Sequence, residues 1–162
     1  MVKKLQALKA KKGFTLVELI VVIAIIGVLA AILIPTLSGV IESSRKRSAE
    51  STCQSIQNIA KSFASTVMSK KGEVCTKTST VNMDIEGVTS EISMEEYIKK
   101  QIPEFEATSG TKRSAVITLD NGAVKSIVYT EGSFKAEWDS SAGGLKDTVK
   151  VTAPTTNSIT IN

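Results

Sequence analysis

An uninterrupted apolar run, Leu19 to Ile34, follows directly on Lys11-Lys12-Gly13-Phe14-Thr15-Leu16-Val17-Glu18, and this constrains the chain more than anything else in it. Extended to Phe14 and Leu37, the run is about 24 residues, or about 36 Å of helix, against a hydrocarbon thickness of about 30 Å. Glu18 is its only charge. Such a segment is expected to cross a bilayer or to be covered by other chains. The stretch before it carries Lys3, Lys4, Lys9, Lys11 and Lys12 and no acid. Basic residues beside an apolar span favour the cytoplasmic side, which puts the C-terminal residues outside. These lysines more than account for the net charge of +4, so the basic balance reports topology and not nucleic-acid binding.

An ordinary secretory signal fits poorly, because its cleavage site follows the apolar region. Here the plausible processing point, Gly13-Phe14, precedes it, so the apolar segment would be kept. A plain signal anchor explains the lysines and the span but leaves Glu18 unexplained. An ionised carboxylate inside an apolar helix costs at least about 2.5 kcal/mol unless it is paired or near the interface. A cut after Gly13 creates a positive α-amine on Phe14, at i and i+4 from Glu18. That amine can pair within the chain or with Glu18 of a neighbouring copy. A buried ion pair is better evidence for register than for stability, so Glu18 is read as the group that sets one copy along the next.

Lys-Lys-Gly-Phe-Thr-Leu-Val-Glu-Leu, continued by Ile20-Val-Val-Ile-Ala-Ile-Ile-Gly-Val-Leu-Ala-Ala-Ile-Leu-Ile-Pro35, resembles the class III leader and N-terminal helix of type IV pilins and pseudopilins. The resemblance covers about residues 9–42. It implies cleavage between Gly13 and Phe14 by a membrane prepilin peptidase, followed by N-methylation of Phe14. It gives Glu18 the role of pairing with a neighbour's Phe14 amine during assembly, and it implies a cytoplasmic ATPase machine that extracts the subunit. It also implies a fold class: α+β, with a long N-terminal helical spine, kinked near Pro35, packed against a small antiparallel β-sheet head.

Gly27 and Pro35 weaken the helix. Glycine costs about 1 kcal/mol against alanine, and an interior proline about 3 kcal/mol. Membrane helices tolerate this as a gentle kink. The resemblance implies more, that the stretch from Gly27 to Pro35 unwinds in the filament. In lipid such helices gain little from hydrophobic association. Outside lipid each exposed Leu, Ile or Val costs about 1.5–3 kcal/mol. A subunit that leaves the membrane is therefore expected to bury this helix among copies of itself, in an open helical polymer.

The expected organisation is a leader at 1–13, a membrane and filament-core helix at 14–37, an amphipathic half of the spine at 38–70 and a globular head at 71–162. Leu37, Val40, Ile41, Ala49, Cys53, Ile56, Ala60, Phe63 and Val67 keep helical spacing, and the helix should end near Lys71-Gly72. Arg45-Lys46-Arg47 reads as a solvated or inter-subunit face, with lipid head groups and DNA as weaker partners. Residues 73–92 read as a polar loop with at most one short strand. Ser93-Met-Glu-Glu96 is a capping box opening a helix at 94–101, with Ile92 and Tyr97 as a staple. Strands are expected at 115–119, 123–130 and 134–138, joined by turns at Asp120-Asn121-Gly122 and Glu131-Gly132-Ser133. A loop at 139–146 and edge strands at 150–153 and 158–161 complete the head. Phe134, Ala136 and Trp138 share a face that should lie on the stripe of Cys53, Ile56, Ala60 and Phe63.

Cys53 and Cys75 both fall outside the membrane, and a disulfide between them is expected. It would contribute about 3 kcal/mol by constraining the unfolded chain. With no histidine and no C-x-x-C, neither a metal centre nor general-base chemistry is expected. Glu95-Glu96, Glu104 and Glu106 read as surface acids, and calcium at Asp139 or Asp147 is a minor possibility. No cofactor is expected, and the chain does not read as an enzyme. The expected function is a structural subunit, the major pilin of an extracellular type IV pilus serving adhesion, motility, aggregation or DNA uptake. A pseudopilin of a secretion or competence system, a minor pilin and a membrane-anchored binding module that never assembles are the alternatives.

Overall fold

The computed structural model describes residues 14–85 and 88–162. Two compact units divide the chain, one ending at Glu42 and the other spanning Ser43–Asn162. The first helix, α1 (Leu16–Lys71), contributes to both.

In the first unit the helix runs without interruption through Gly27 and Pro35. Pro35 has no N–H to donate, and two hydroxyls near it take up backbone carbonyls. Thr36 Oγ1 donates to Leu33 O at 2.9 Å, and Ser38 Oγ donates to Ile34 O at 3.1 Å. These are the back-bonds that Thr and Ser make to carbonyls one turn earlier within a helix. Every large apolar side chain from Phe14 to Ile41 is exposed, from 44% at Val22 to 82% at Phe14.

The second unit has a core of its own. From α1 it takes Ala49, Cys53, Ile56, Ala60, Phe63 and Val67, all fully buried, which is the stripe that the spacing predicts. Gly72, at φ +69°, ends the helix, and its N–H donates to Met68 O. Next come β1 (Thr80–Ile85) and β2 (Val88–Ser93), an antiparallel two-stranded sheet. This corrects the expected loop at 73–92. Val81 and Ile92, directly opposite one another, are buried core residues, and the polar Thr80, Asn82, Asp84, Thr89, Ser90 and Glu91 between and around the apolar positions keep the alternation from standing out.

Helix α2 (Met94–Gln101) begins as expected. Ser93 Oγ accepts from the Glu96 amide, and the Glu96 carboxylate accepts from the Ser93 amide. Ile92 lies in the core and Tyr97 packs against it. A 3-10 turn at Pro103–Phe105 places Phe105 in the core. The larger sheet has the order β6 (Gly144–Leu145), β5 (Phe134–Asp139), β4 (Ala123–Glu131), β3 (Arg113–Asp120), β8 (Ser158–Ile161), with β7 (Val149–Lys150) also paired to β5. Its centre is the expected meander of β3 (Arg113–Asp120), β4 (Ala123–Glu131) and β5 (Phe134–Asp139). Asn121 (φ 49°) and Gly122 (φ 78°) turn β3 into β4, the residue pair that such a two-residue hairpin demands. A Cβ on Gly122 would stand 2.9 Å from the Cys75 backbone nitrogen.

At the edges the sequence is a poorer guide. Residues 139–146 are not wholly loop, because Gly144–Leu145 forms β6 against β5. The expected strand at 150–153 is only β7 (Val149–Lys150). Strand β8 (Ser158–Ile161) forms as expected but lies parallel to β3, so the sheet is antiparallel except at this edge. Phe134, Ala136 and Trp138 point into the core shared with the α1 stripe.

Candidate functional site: the N-terminal processing and assembly segment

The first described residue is Phe14. Gly13, the residue before the expected cut, lies outside the described residues. Phe14 is non-helical and its side chain is exposed. Thr15 is the last residue before α1, and Leu19 N–H donates to its carbonyl at 3.2 Å. Thr15 Oγ1 accepts from the Glu18 amide at 3.2 Å. In return, Glu18 Oε2 accepts from the Thr15 amide at 2.9 Å and from the Thr15 hydroxyl at 2.8 Å. These are the reciprocal bonds of a capping box.

That motif was legible as Thr15-Leu-Val-Glu18, with the same spacing as Ser93-Met-Glu-Glu96, yet the sequence reading above assigned Glu18 to pairing alone. The capping box changes the chemistry. In the isolated chain Glu18 is held at the helix N-terminus, where the helix dipole and orphan amides favour negative charge. The carboxylate is therefore oriented one turn from Phe14, and Thr15 engages its Oε2 in both bonds.

The apolar stretch that follows has no cover inside the chain. None of its most apolar window is buried. Thr15, Glu18 and this face therefore make one continuous surface: an exposed junction, an oriented carboxylate and a long apolar stripe.

The remaining candidates do not join it. Cys53 and Cys75 are both free and both buried, so the expected disulfide is not formed. Cys53 Sγ lies 3.9 Å from Ala136 O, against β5, whereas Cys75 sits behind the β3–β4 turn with Sγ 3.8 Å from Thr76 O. Burial pushes the Cys53 thiol up to about 11 and raises Cys75 as well, so both act as small core residues. Among the described residues no group of His, Cys, Asp or Glu is arranged to hold a metal ion. Asp139 is instead taken by Ser141 (2.6 Å) and Lys146 (3.0 Å). Glu95 pairs with Lys99 at 2.6 Å, and Glu96 belongs to the α2 cap. Arg45 and Arg47 are exposed on α1 and Lys46 is half-buried.

Comparison with known proteins singles out the same segment. A family model described as the prokaryotic N-terminal methylation motif matches residues 8–34. Two fimbrial proteins of Pseudomonas aeruginosa are each 71% identical over 28 residues, which is 17% of this chain and 18% of each relative. The chain thus spans less than a fifth of the length of the curated relatives that it matches. No solved structure matches it. The matched region contains the Lys-Lys-Gly-Phe junction, Glu18 and the apolar helix, and the fold beyond it is a long helix with a β-rich unit. The N-terminal segment of this chain thus carries the prokaryotic N-terminal methylation motif and is similar to a stretch of two fimbrial proteins.

Proposed function

We propose that this protein is a structural subunit, the major pilin, of an extracellular type IV pilus. The observation that carries this reading is a long apolar helix face left bare by its own chain, beginning at a methylation-type junction with an oriented carboxylate. In the proposed cycle the precursor sits in the cytoplasmic membrane, with its lysines inside and the second unit outside. A prepilin peptidase cuts between Gly13 and Phe14, and the new amine is methylated. Glu18, held by Thr15, then presents its carboxylate to the Phe14 amine of a neighbouring copy. Pairing neutralises both charges as they leave the head-group region, and it fixes the axial register of the two helices. The apolar faces exchange lipid for one another as an assembly ATPase extracts each subunit, and the stretch from Gly27 to Pro35 unwinds to let the helices pack. The partners are further copies of the chain, the membrane, the peptidase and the assembly machinery. The role is structural and not enzymatic.

Electron microscopy of sheared surface material, with mass spectrometry of the filament protein, tests this. Abundant filaments built from a chain that starts at N-methylated Phe14 are expected. A correctly processed chain that stays in the membrane without filaments would replace the major-pilin reading with a minor pilin or pseudopilin. An unprocessed N-terminus would overturn it.

A further inference from the structure

Just past its bare apolar run, α1 carries cations that the chain does not pair. Ile41 is the last large apolar residue of that run, at 47% exposure, and Arg45-Lys46-Arg47 begins one helical turn later. Both arginines are exposed and Lys46 is half-buried. No ion pair among the described residues includes any of the three. The carboxylates around them are engaged or too few. Glu131 shares a small cleft with Arg45, but it is already held by Arg113 at 2.8 Å, where the two line a polar groove, and by Ser48 Oγ at 3.3 Å. Glu50 accepts from Thr148 Oγ1 at 2.8 Å. Glu42 precedes Arg45 by three residues and Lys46 by four, so one carboxylate serves two cations there.

Residue type and helical phase say what would match them. Of the 20 basic residues only three are arginines: Arg113, in the ion pair with Glu131, and the two here. A guanidinium presents a planar fork of N–H donors that fits two oxygens of a phosphate, whereas a lysine ammonium is a point charge. Successive residues of an α-helix are about 100° apart, so Arg45 and Arg47 leave α1 on nearly opposite sides. One docked protein face can meet one of them and not both. A layer of lipid headgroups surrounds a helix and meets both. Cations on the outer side also oppose the orientation that the leader lysines favour, and anionic headgroups offset that cost.

We propose that Arg45 and Arg47 bind the phosphate groups of anionic phospholipids at the outer surface of the membrane, and so hold α1 at the headgroup layer until the subunit is extracted. This rests on the membrane-inserted precursor of the preceding subsection. Each contact is a charge-assisted pair of N–H···O bonds to one headgroup. Lys46 adds charge to the cluster without the fork. Entry into a filament exchanges these headgroups for water or for other copies, so the arginines act on the membrane-bound subunit.

The test reconstitutes the full chain, isotope-labelled at the guanidinium carbons of its three arginines, into vesicles of equal parts phosphatidylglycerol and phosphatidylcholine. Solid-state dephasing by lipid phosphorus should appear at Arg45 and Arg47 and be absent at Arg113, which Glu131 holds. The leader lysines carry no label and cannot contribute. Arg45→Lys and Arg47→Lys each remove one signal and so assign it. In parallel, the preference for spin-labelled phosphatidylglycerol over phosphatidylcholine should fall about fivefold in Arg45→Gln and again when Arg47→Gln is added. The lysine variants, which keep the charge, should lose less. Both sites are exposed and glutamine is a good helix former, so these variants should fold. A chain that alkaline washing strips from the vesicles would overturn the membrane reading and this proposal with it. An inserted chain without phosphorus dephasing at Arg45 and Arg47 would overturn the proposal alone. Dephasing by labelled carboxylates of a second copy, with no phosphorus contact, would assign the cluster to a neighbouring subunit and overturn it too.

Discussion

The residues before Ser43 and those from Ser43 on solve the problem of apolar surface in opposite ways. In the second unit Ile56, Phe63, Ile98, Ile117 and Ile127 are all fully buried by their own chain. In the first, Ile23, Ile26, Leu29 and Leu33 are each more than half exposed, although they belong to the same continuous helix. The two stretches share one helix but not one pattern: residues 19–34 are apolar all round, and residues 43–71 are apolar along one stripe. What also differs is whether the chain supplies a second layer. Residues 43–71 of α1 meet a sheet, and the large apolar side chains of residues 16–41 stay exposed. A stable domain needs two packed layers, so the N-terminal stretch is complete only with lipid or with other chains around it.

The sharpest way to break this contrast is at Glu18. Glu18→Ala removes both the charge and the cap, and filament yield in sheared material should fall to background while membrane insertion persists. Glu18→Gln keeps a side-chain acceptor for the Thr15 amide and loses only the charge. If pairing with the Phe14 amine is what matters, Glu18→Gln should fail as completely as Glu18→Ala. Filaments from Glu18→Gln but not from Glu18→Ala would shift the role to the capping box.

Core substitutions come next. Ile56→Ala, at a fully buried site, should cost about 2–5 kcal/mol and lower the melting midpoint of the second unit by several degrees. Ile23→Ala, at an exposed site, should leave that midpoint where it is. A common drop in both variants would mean that the two units melt as one. Smaller again is Ser93→Ala, which removes the α2 cap and should cost about 1 kcal/mol in urea denaturation.

The smallest effect is one of pH. Hydrogen bonds from Ser141 and Lys146 hold the Asp139 carboxyl well below the usual range, and Glu91 and Glu96 are lowered by Thr80 and Ser93. A depressed folded-state value favours the fold above the unfolded carboxylate range, about pH 4, and that advantage is lost as pH falls. The urea midpoint should therefore decline below about pH 4. Asp139→Asn should make the decline shallower, and an unchanged slope would remove the Asp139–Lys146 contact from the account.

Local grammar was legible wherever neighbours in sequence decide the outcome. Ser93-x-x-Glu96, the Asn121-Gly122 turn and the helix stop at Gly72 all formed where their residues predict. The Thr15-x-x-Glu18 box was equally legible but was masked by the unusual charge of Glu18 in apolar sequence. Less could be read where an element depends on a remote partner. The β1–β2 pair is built largely from polar residues, so its pattern is faint. The orientation of β8 is set by which edge of β3 is open after the meander has formed. The Cys53 and Cys75 positions were compatible with a bridge by location alone. The fold gives Cys53 to β5 and Cys75 to the β3–β4 turn.

By itself, then, the sequence determined the bare apolar helix, the capping boxes and the central meander, because short spacings and a long hydrophobic run leave few physical alternatives. The tertiary structure alone decided the free thiols, the parallel edge strand and the groove around Arg113 and Glu131. Most of these depend on side chains that are distant in sequence, which only the closing of the sheet onto α1 brings within hydrogen-bonding or packing distance.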